Sequence, residues 1–341
     1  MALRQVLRLR HGTPSHDTFS RVFRLLDPVA FEAVFRRFTE AFAAHLSGQI
    51  GAAGQHGRNA VSPEVAIDGK SLSGAFEHGA IAKRSVPQGW IGEGRSRGAT
   101  PLHLVSAWAV DQRLVLAQRR APGRGEVAAA LDLVALLDLQ ATTVSADALH
   151  GNRKMAAAIR ARGGEYVLAL KGNRGPLYHA AVALLAGVEA SVCEASREPN
   201  HGRQERRQAA VTAVPADWAE RFRFEGLAAV ARIDSLRRVG QAEQRRTRYF
   251  VLSRALSAER VSEIVRGHWG IENQQHWLLD VVLHEDAARN RKDNGAQNLA
   301  LLRRLALNLL RADTYKASIR RKIKRAGWQD AYLSSLLSQM R

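Results

Sequence analysis

Five strand-length apolar runs lie between residues 64 and 170, and their order constrains the fold more than any other feature of the chain. Glu64–Lys70 (EVAIDGK) reads as a short strand, followed by a polar, Gly-rich loop through Arg97. Leu102–Val110 and Arg113–Arg119, joined around Asp111-Gln112, form a hairpin pattern. Ala141–Ala146 (ATTVSA) and Tyr166–Leu170 (YVLAL) read as buried strands. Two amphipathic helices, Glu126–Leu137 and Arg153–Arg162, separate the last three. Strand, hairpin, helix, strand, helix, strand predicts an α/β fold, a mixed sheet with helices on both faces.

The flanks differ from this core. Thr18 can cap a helix carrying Phe19, Val22, Phe23 and Leu26, which Asp27-Pro28 ends. Phe31, Val34, Phe35, Phe38 and Phe42 then recur at helical steps. Residues 1–46 are therefore a helical segment, either a DNA-reading helix pair or a subdomain packed on its own phenylalanines. Residues 47–61 are Gly-rich and polar, hence a linker. The core occupies 62–173. From 174 to 255 one helix (177–185) precedes Arg-laden strands at 206–214, 227–236 and 245–254, a β-rich insertion. Residues 256–286 and 287–341 are helical.

Charge narrows the partner. The 341 residues hold 51 Lys+Arg against 32 Asp+Glu, a formal charge of +19, which favours a polyanion. Residues 287–341 carry 13 Lys/Arg against 3 Asp/Glu, and residues 200–254 carry 12 against 6. Arg203, Arg206, Arg207, Arg289, Arg291, Lys292, Arg320, Arg321, Lys322, Lys324 and Arg325 are the candidate phosphate contacts, DNA-binding if the polyanion is DNA. The 15–46 helix pair and the insertion strands are the candidates for base reading. The single cysteine, Cys193, leaves no internal disulfide and no Cys-based zinc motif, which fits a reduced, cytoplasmic setting. The N-terminus has no signal-peptide core, and Arg303 and Arg304 interrupt the most apolar helix, so no segment reads as membrane-spanning.

Three acids stand out by context. Asp68 interrupts the apolar run Val65-Ala66-Ile67, and Asp147 ends the run Thr143–Ala146. Carboxylates at neighbouring strand ends repel one another unless a cation lies between them, and hard oxygens suit Mg²⁺ or Mn²⁺. Taken alone, each reads first as a strand cap or a partner of Arg. The third, Glu272, lies in GHWGIENQQHWLLDVVLHED, where His268, Glu272, His276 and Asp280 recur every four residues and so share one helix face. That stripe could be a solvated face. It also suggests zinc, although HExxH is absent and no Cys assists.

These residues give the chain a specific likeness. It resembles the ISAs1-type insertion-sequence transposases, including the H-repeat-associated proteins, of the DDE transposase superfamily. The matching phrases run from residue 13 to the end: SHDTFSRVFRLLDPVAFEAVF (15–35), VAIDGKSLSG (65–74), LHLVSAWAV (102–110), SADALHGNRKMAAAI (145–159), YVLALKGN (166–173), HGRQERR (201–207), HWGIENQQHWLLDVVLHED (268–286) and NLALLRRLALNLL (298–310). The resemblance implies an RNase H-like fold with Asp68, Asp147 and Glu272 as a metal-binding triad, and the strand order read above agrees with it. In that fold the first Asp is on the first strand, the second ends the fourth, and the Glu is on a later helix after a β-rich insertion. IS4-like relatives carry Arg four residues before the Glu and Lys seven after it, where this chain has His268 and Leu279. The family also carries a longer helical leader before SHDTF, and Phe where Leu283 stands.

The resemblance further implies two Mg²⁺ or Mn²⁺ ions, cleavage at the element's terminal inverted repeats and transfer of the 3′-hydroxyl into target duplex DNA. A homodimer or larger synaptic complex in a bacterial, nucleoid-associated setting is expected. His268, Asn273, His276 and Lys171 are candidates for supporting or phosphate contacts. Asp280, Glu285 and Asp286 compete for the third acid, with Glu285-Asp286 expected to pair with Arg289 or Arg291. A transposase-derived DNA-binding regulator, or a nuclease that cuts without joining, are the alternatives.

Overall fold

The computed structural model describes residues 12–53, 62–81, 99–172, 175–195 and 203–340. In chain order the elements are α1 (His16–Leu25), α2 (Pro28–Ala53), β1 (Glu64–Ile81), β2 (Ala99–Ala109), β3 (Leu114–Arg120), α3 (Glu126–Leu136), β4 (Thr143–Ala146), α4 (Arg153–Ala161) and β5 (Glu165–Leu170). There follow α5 (Gly175–Leu185), β6 (Ser191–Ala195), β7 (Arg203–Ala213), α6 (Trp218–Arg221), β8 (Ala229–Val239) and β9 (Ala242–Leu252). The C-terminal part comprises α7 (Ala258–Gly270), a π-helical turn (Ile271–His276), α8 (Trp277–Val281), α9 (Gly295–Ala312), α10 (Ile319–Trp328) and α11 (Asp330–Ser338).

The chain divides into two compact units. One comprises Met1–Arg58, Gly69–Ala129 and Glu272–Arg341, and the other Asn59–Asp68 and Ala130–Ile271. Strand β1 passes from the second unit into the first at Asp68-Gly69.

In the second unit the strand order is β1-β4-β5-β9-β8-β7-β6. β1, β4 and β5 are parallel, with Ile67 opposite Ala146 and Ala146 opposite Leu168. β9 then joins β5 antiparallel, and β8, β7 and β6 continue the ladder. The β-rich insertion is thus an extension of the core sheet. Its polar composition marks strands whose outer halves face water: Arg237 to Val239 and Ala242 to Thr247 are exposed. Their inner halves are apolar and pack under α7, where Ala209, Ala231, Ile233 and Phe250 meet Val261, Ile264 and Val265. The short strand β6 had no apolar alternation to announce it.

In the first unit the order is β3-β2-β1. β2 and β3 form the expected hairpin, with Ala107 opposite Ala117 and a bulge at Ala107/Trp108. Nine strands with parallel β1, β4 and β5, and β2-β3 on the other side of β1, make the RNase H-like order. Helix α9 covers β3 through Asn308, whose buried amide donates to Val115 O and accepts from Val115 N, both at 2.9 Å. The side chain thereby pairs backbone groups of an edge strand, which would otherwise be left open.

The N-terminal helices dock on this unit. Asn298 of α9 donates to Phe23 O and Leu26 O, and Arg24 pairs with Asp293 at 2.7 Å. Phe42 packs with Ala109, Leu114 and Leu309. The helix pair therefore packs on more than its own phenylalanines.

Three expectations change. Ser15, not Thr18, caps α1, because its hydroxyl accepts from Thr18 N. Helix α2 continues through Ala53, so residues 47–53 of the supposed linker are helical and 54–61 lie outside the described residues. β1 runs to Ile81 rather than stopping near Lys70, because pairing with β2 outweighs its Ser/Gly composition. The rest of that supposed loop, 82–98, is likewise outside the described residues.

Candidate active site

Asp68 and Asp147 are placed by register. Each follows the last pair in register between two neighbouring parallel strands, Ile67 opposite Ala146, so the two residues occupy adjacent positions where β4 ends and β1 continues towards β2. Adjacent strands lie about 4.8 Å apart, which is close enough for two carboxylates to share a cation. The carboxyl ends of parallel strands are where open α/β sheets bind ligands. Asp147 is held by its own turn. Its Oδ1 accepts from Leu149 N at 2.9 Å and His150 N at 3.3 Å. Gly151 completes that turn, since a Cβ there would come 2.0 Å from Ala169 O of β5.

His268, on the last turn of α7, lies beside this pair. Its Nδ1 is 3.2 Å from Ser145 Oγ, and Ser145 shares a face of β4 with Asp147. Burial pushes the imidazole down to about 4, against the opposing pull of Asp147, so it is neutral at physiological pH. Arg248 lies over the Trp269 ring at 4.4 Å on the same side. Lys171 is exposed immediately after β5.

Glu272 opens the π-helical turn and is exposed, as is Asn273. A π-turn closes i→i+5 and inserts an extra residue, and such turns recur at functional sites. The four-residue stripe is therefore broken. His276 and Asp280 are turned away from the line that His268 and Glu272 begin, by up to about 100°. Asp280 instead faces Lys70, with Oδ1 2.8 Å from Nζ. The π-turn removes the in-line spacing on which the zinc alternative rested, and among the described residues no three of His, Cys, Asp and Glu, Asp68, Asp147 and Glu272 included, are already grouped around a metal position.

The competing acids in the first unit are engaged elsewhere. Glu285 is fully buried against the equally buried Arg304 at 2.6 Å. Asp286 accepts from Lys70 Nζ at 2.7 Å. Among the described contacts these two acids meet Arg304 and Lys70 rather than Arg289 or Arg291, and Arg291 donates to Gly74 O. Burial raises the Asp280 carboxyl, although Lys70 partly counters it.

Comparison with known proteins decides the family. The family described as the transposase DDE domain matches residues 60–309, and its associated N-terminal domain matches residues 1–39. The chain belongs to the DDE transposase family. The candidate transposase YncI of Escherichia coli O157:H7 is 30% identical over 96% of this chain and 79% of its own length. The H repeat-associated candidate transposase YhhI of Escherichia coli K12 is 30% identical over 98% and 84%. A piggyBac transposase in a synaptic complex with hairpin DNA is a distant structural neighbour, with TM-score 0.43 and 11% identity over 82% of this chain and 53% of that one. The RNase H-like assignment stands on the strand order.

The transposase presents some of its candidate DNA contacts and hides others. Arg206, Arg289, Lys292, Arg320, Arg321 and Lys324 are exposed, Arg207 is half-buried, and Arg203 starts β7. Lys322 is corrected. It is buried, and its ammonium donates to Leu310 O at 2.9 Å and Asp313 O at 2.7 Å, satisfying carbonyls at the C-terminus of α9. Arg325 is also engaged, lying over Tyr315 at 4.3 Å and Tyr332 at 4.7 Å. Among the described residues no helix is long and apolar enough to cross a membrane.

One polar chain escaped the sequence reading. In the first unit Ser71 Oγ is 2.8 Å from His103 Nδ1, whose Nε2 is 2.8 Å from Glu126 Oε2. The pair packs flat on Gly69, where a Cβ would lie 2.4 Å from Glu126 Oε1 and 2.6 Å from His103 Nε2. Odd spacing on β1 puts Ser71 on the face opposite Asp68. The residues are far apart in sequence and come together only through the pairing of β1 with β2 and the start of α3.

Proposed function

We propose that this transposase cuts DNA at the ends of its insertion sequence and joins the freed 3′-hydroxyl to target duplex DNA, with Asp68, Asp147 and Glu272 as its catalytic acids. The observation that carries this reading is that Asp68 and Asp147 each follow the last registered pair, Ile67 opposite Ala146, of the neighbouring parallel strands β1 and β4. Two hard carboxylates at adjacent positions of neighbouring strands, one of them fixed by backbone amides, fit Mg²⁺ or Mn²⁺. When bound, such ions would supply an activated water and charge stabilisation at the leaving oxygen. Asp68 and Asp147 would hold them from the sheet, and Glu272 would complete the set. The engagement of Asp280, Glu285 and Asp286 with Lys70 and Arg304 supports Glu272 as the third acid.

The protein's own groups have distinct tasks. Neutral His268, bonded to Ser145, adds no positive charge beside Asp147, so the pair keeps its attraction for a cation. Exposed Arg289, Lys292, Arg320, Arg321 and Lys324 would hold phosphates without reading sequence. Synapsis of two element ends would bring two copies together.

The test uses the full chain, DNA bearing the element ends, and Mg²⁺ or Mn²⁺. Asp68→Asn and Glu272→Gln should abolish cleavage and leave DNA affinity unchanged. Equal loss of binding and cleavage would sink the assignment, as would a fully active Glu272→Gln beside a dead Glu285→Gln. Joined products identify a transposase reaction, cleavage alone a nuclease, and binding alone a regulator.

A further inference from the structure

The π-turn that carries Glu272 is braced from within its own unit. Arg311, at the end of α9, donates Nη2 to Gln274 O in that turn and Nη1 to Arg113 O of the β2–β3 connection at 2.8 Å. Its guanidinium carbon lies 4.4 Å above the Trp108 ring of β2. Two carbonyls and an indole face are its described partners, and no carboxylate is among them. A largely desolvated cation without an anion is an expensive feature to retain for packing alone.

The turn itself needs such a brace. A π-turn makes poorer hydrogen bonds than the α-turn into which the same residues could relax. Here it also buries Gln275 completely, with neither amide atom hydrogen-bonded among the described residues. Nothing in the sequence IENQQH offsets those penalties locally. The fixed fork of Arg311 does so from outside, by reaching the turn's carbonyl while the indole and the Arg113 carbonyl fix its plane. Relaxation of the turn would swing one side of it by about 100° relative to the other, and Glu272 lies two residues from the point of contact.

We infer that Arg311 is a positioning residue for the transposase reaction: it holds the π-turn in its widened register, stacked on Trp108, and thereby aims Glu272. This rests on Glu272 being the third acid. Lysine cannot replace it, because one ammonium cannot reach both carbonyls while lying flat on the indole.

The test compares Arg311→Lys, Trp108→Leu and Glu272→Gln in the full chain. It measures hydrogen exchange, DNA affinity, and cleavage in Mg²⁺ and in Mn²⁺. Arg311→Lys should lose amide protection in residues 274–281 and keep it in β4, β5 and α7. DNA affinity should hold while Mg²⁺-supported cleavage falls roughly tenfold to a hundredfold. Part of the activity should return in Mn²⁺, because Mg²⁺ is the stricter about ligand geometry. Trp108→Leu should give the same local pattern more weakly, and decides the matter if Arg311→Lys does not fold. Wild-type protection and cleavage in both variants would overturn the inference, as would loss of protection spread over the whole unit. A fully active Glu272→Gln would instead overturn the assignment of the acid, with the exchange pattern still judging the brace.

Discussion

Lys322→Met separates two roles that a basic run confounds. Lys322 sits in Arg320-Arg321-Lys322-Ile323-Lys324-Arg325, where every cation invites a phosphate. Its Nζ instead lies 2.9 Å from Leu310 O, 2.7 Å from Asp313 O and 3.1 Å from Asp313 Oδ2. Burial works against the Asp313 charge, but the Tyr332 hydroxyl and this ammonium together hold its carboxyl below the ordinary range. Removing one partner of such a buried pair costs about 3–5 kcal/mol, and the lower figure suits a site whose Asp313 keeps its Tyr332 bond. The exposed Lys324→Ala should stay within about 0.5 kcal/mol of wild type. Urea unfolding, with hydrogen exchange across residues 310–338, measures the first effect. The salt dependence of binding to random-sequence duplex measures the second, since each lost phosphate contact lowers the slope by about 0.9. Lys324→Ala should lower that slope and Lys322→Met should not, once compared under conditions where both are folded. A Lys322→Met protein as stable as wild type, with a slope lower by about one, would refute the placement of this side chain.

Two further outcomes are expected. The depressed pKa of His268 means that the unfolded chain takes up its proton near the ordinary value of 6.5, whereas the folded chain resists until about 4. The stability it contributes is complete above that ordinary value and is lost as pH falls towards 4, by at most about 3 kcal/mol. Urea unfolding between about pH 7 and about pH 4.5 should show this loss. His268→Asn should flatten the curve, and an unchanged slope in that variant would refute the assignment. Gly151→Ala should destabilise the fold by about 1–3 kcal/mol and slow cleavage, because its Cβ meets the immovable backbone oxygen of Ala169. Gly69→Ala meets only the ends of the Glu126 and His103 side chains, so the milder thermal shift belongs to it, and the reverse order would contradict these contacts.

The core was legible because its signals are local. VAID, TVSAD and YVLAL each carry strand-length apolar runs, and Asp68 and Asp147 announced themselves as charges where a buried run should continue. Parallel register then put them together, a step that sequence period alone does not supply. The polar half of β1 was not legible, since Ser and Gly there read as loop until β2 pairs with them. Charge was legible as a sum and misleading by residue. Lys322 and Arg304 belong to a basic stretch, yet one is buried on helix carbonyls and the other on Glu285.

The stripe from His268 to Asp280 failed for a deeper reason. Four-residue spacing projects onto one face only if every turn between is α-helical, and the sequence IENQQH contains no Pro or Gly to signal otherwise. The π-turn is a tertiary product, held by Arg311 from α9 and paid for in part by a buried Gln275. It frees Asp280 to meet Lys70, two residues beyond Asp68, while Glu272 stays exposed on the other side of the turn. A regular helix would have to hold both acids in one line and could not turn one to an ion pair and leave the other exposed. The irregularity that defeated the periodic reading is therefore what distinguishes Glu272 from the acids around it.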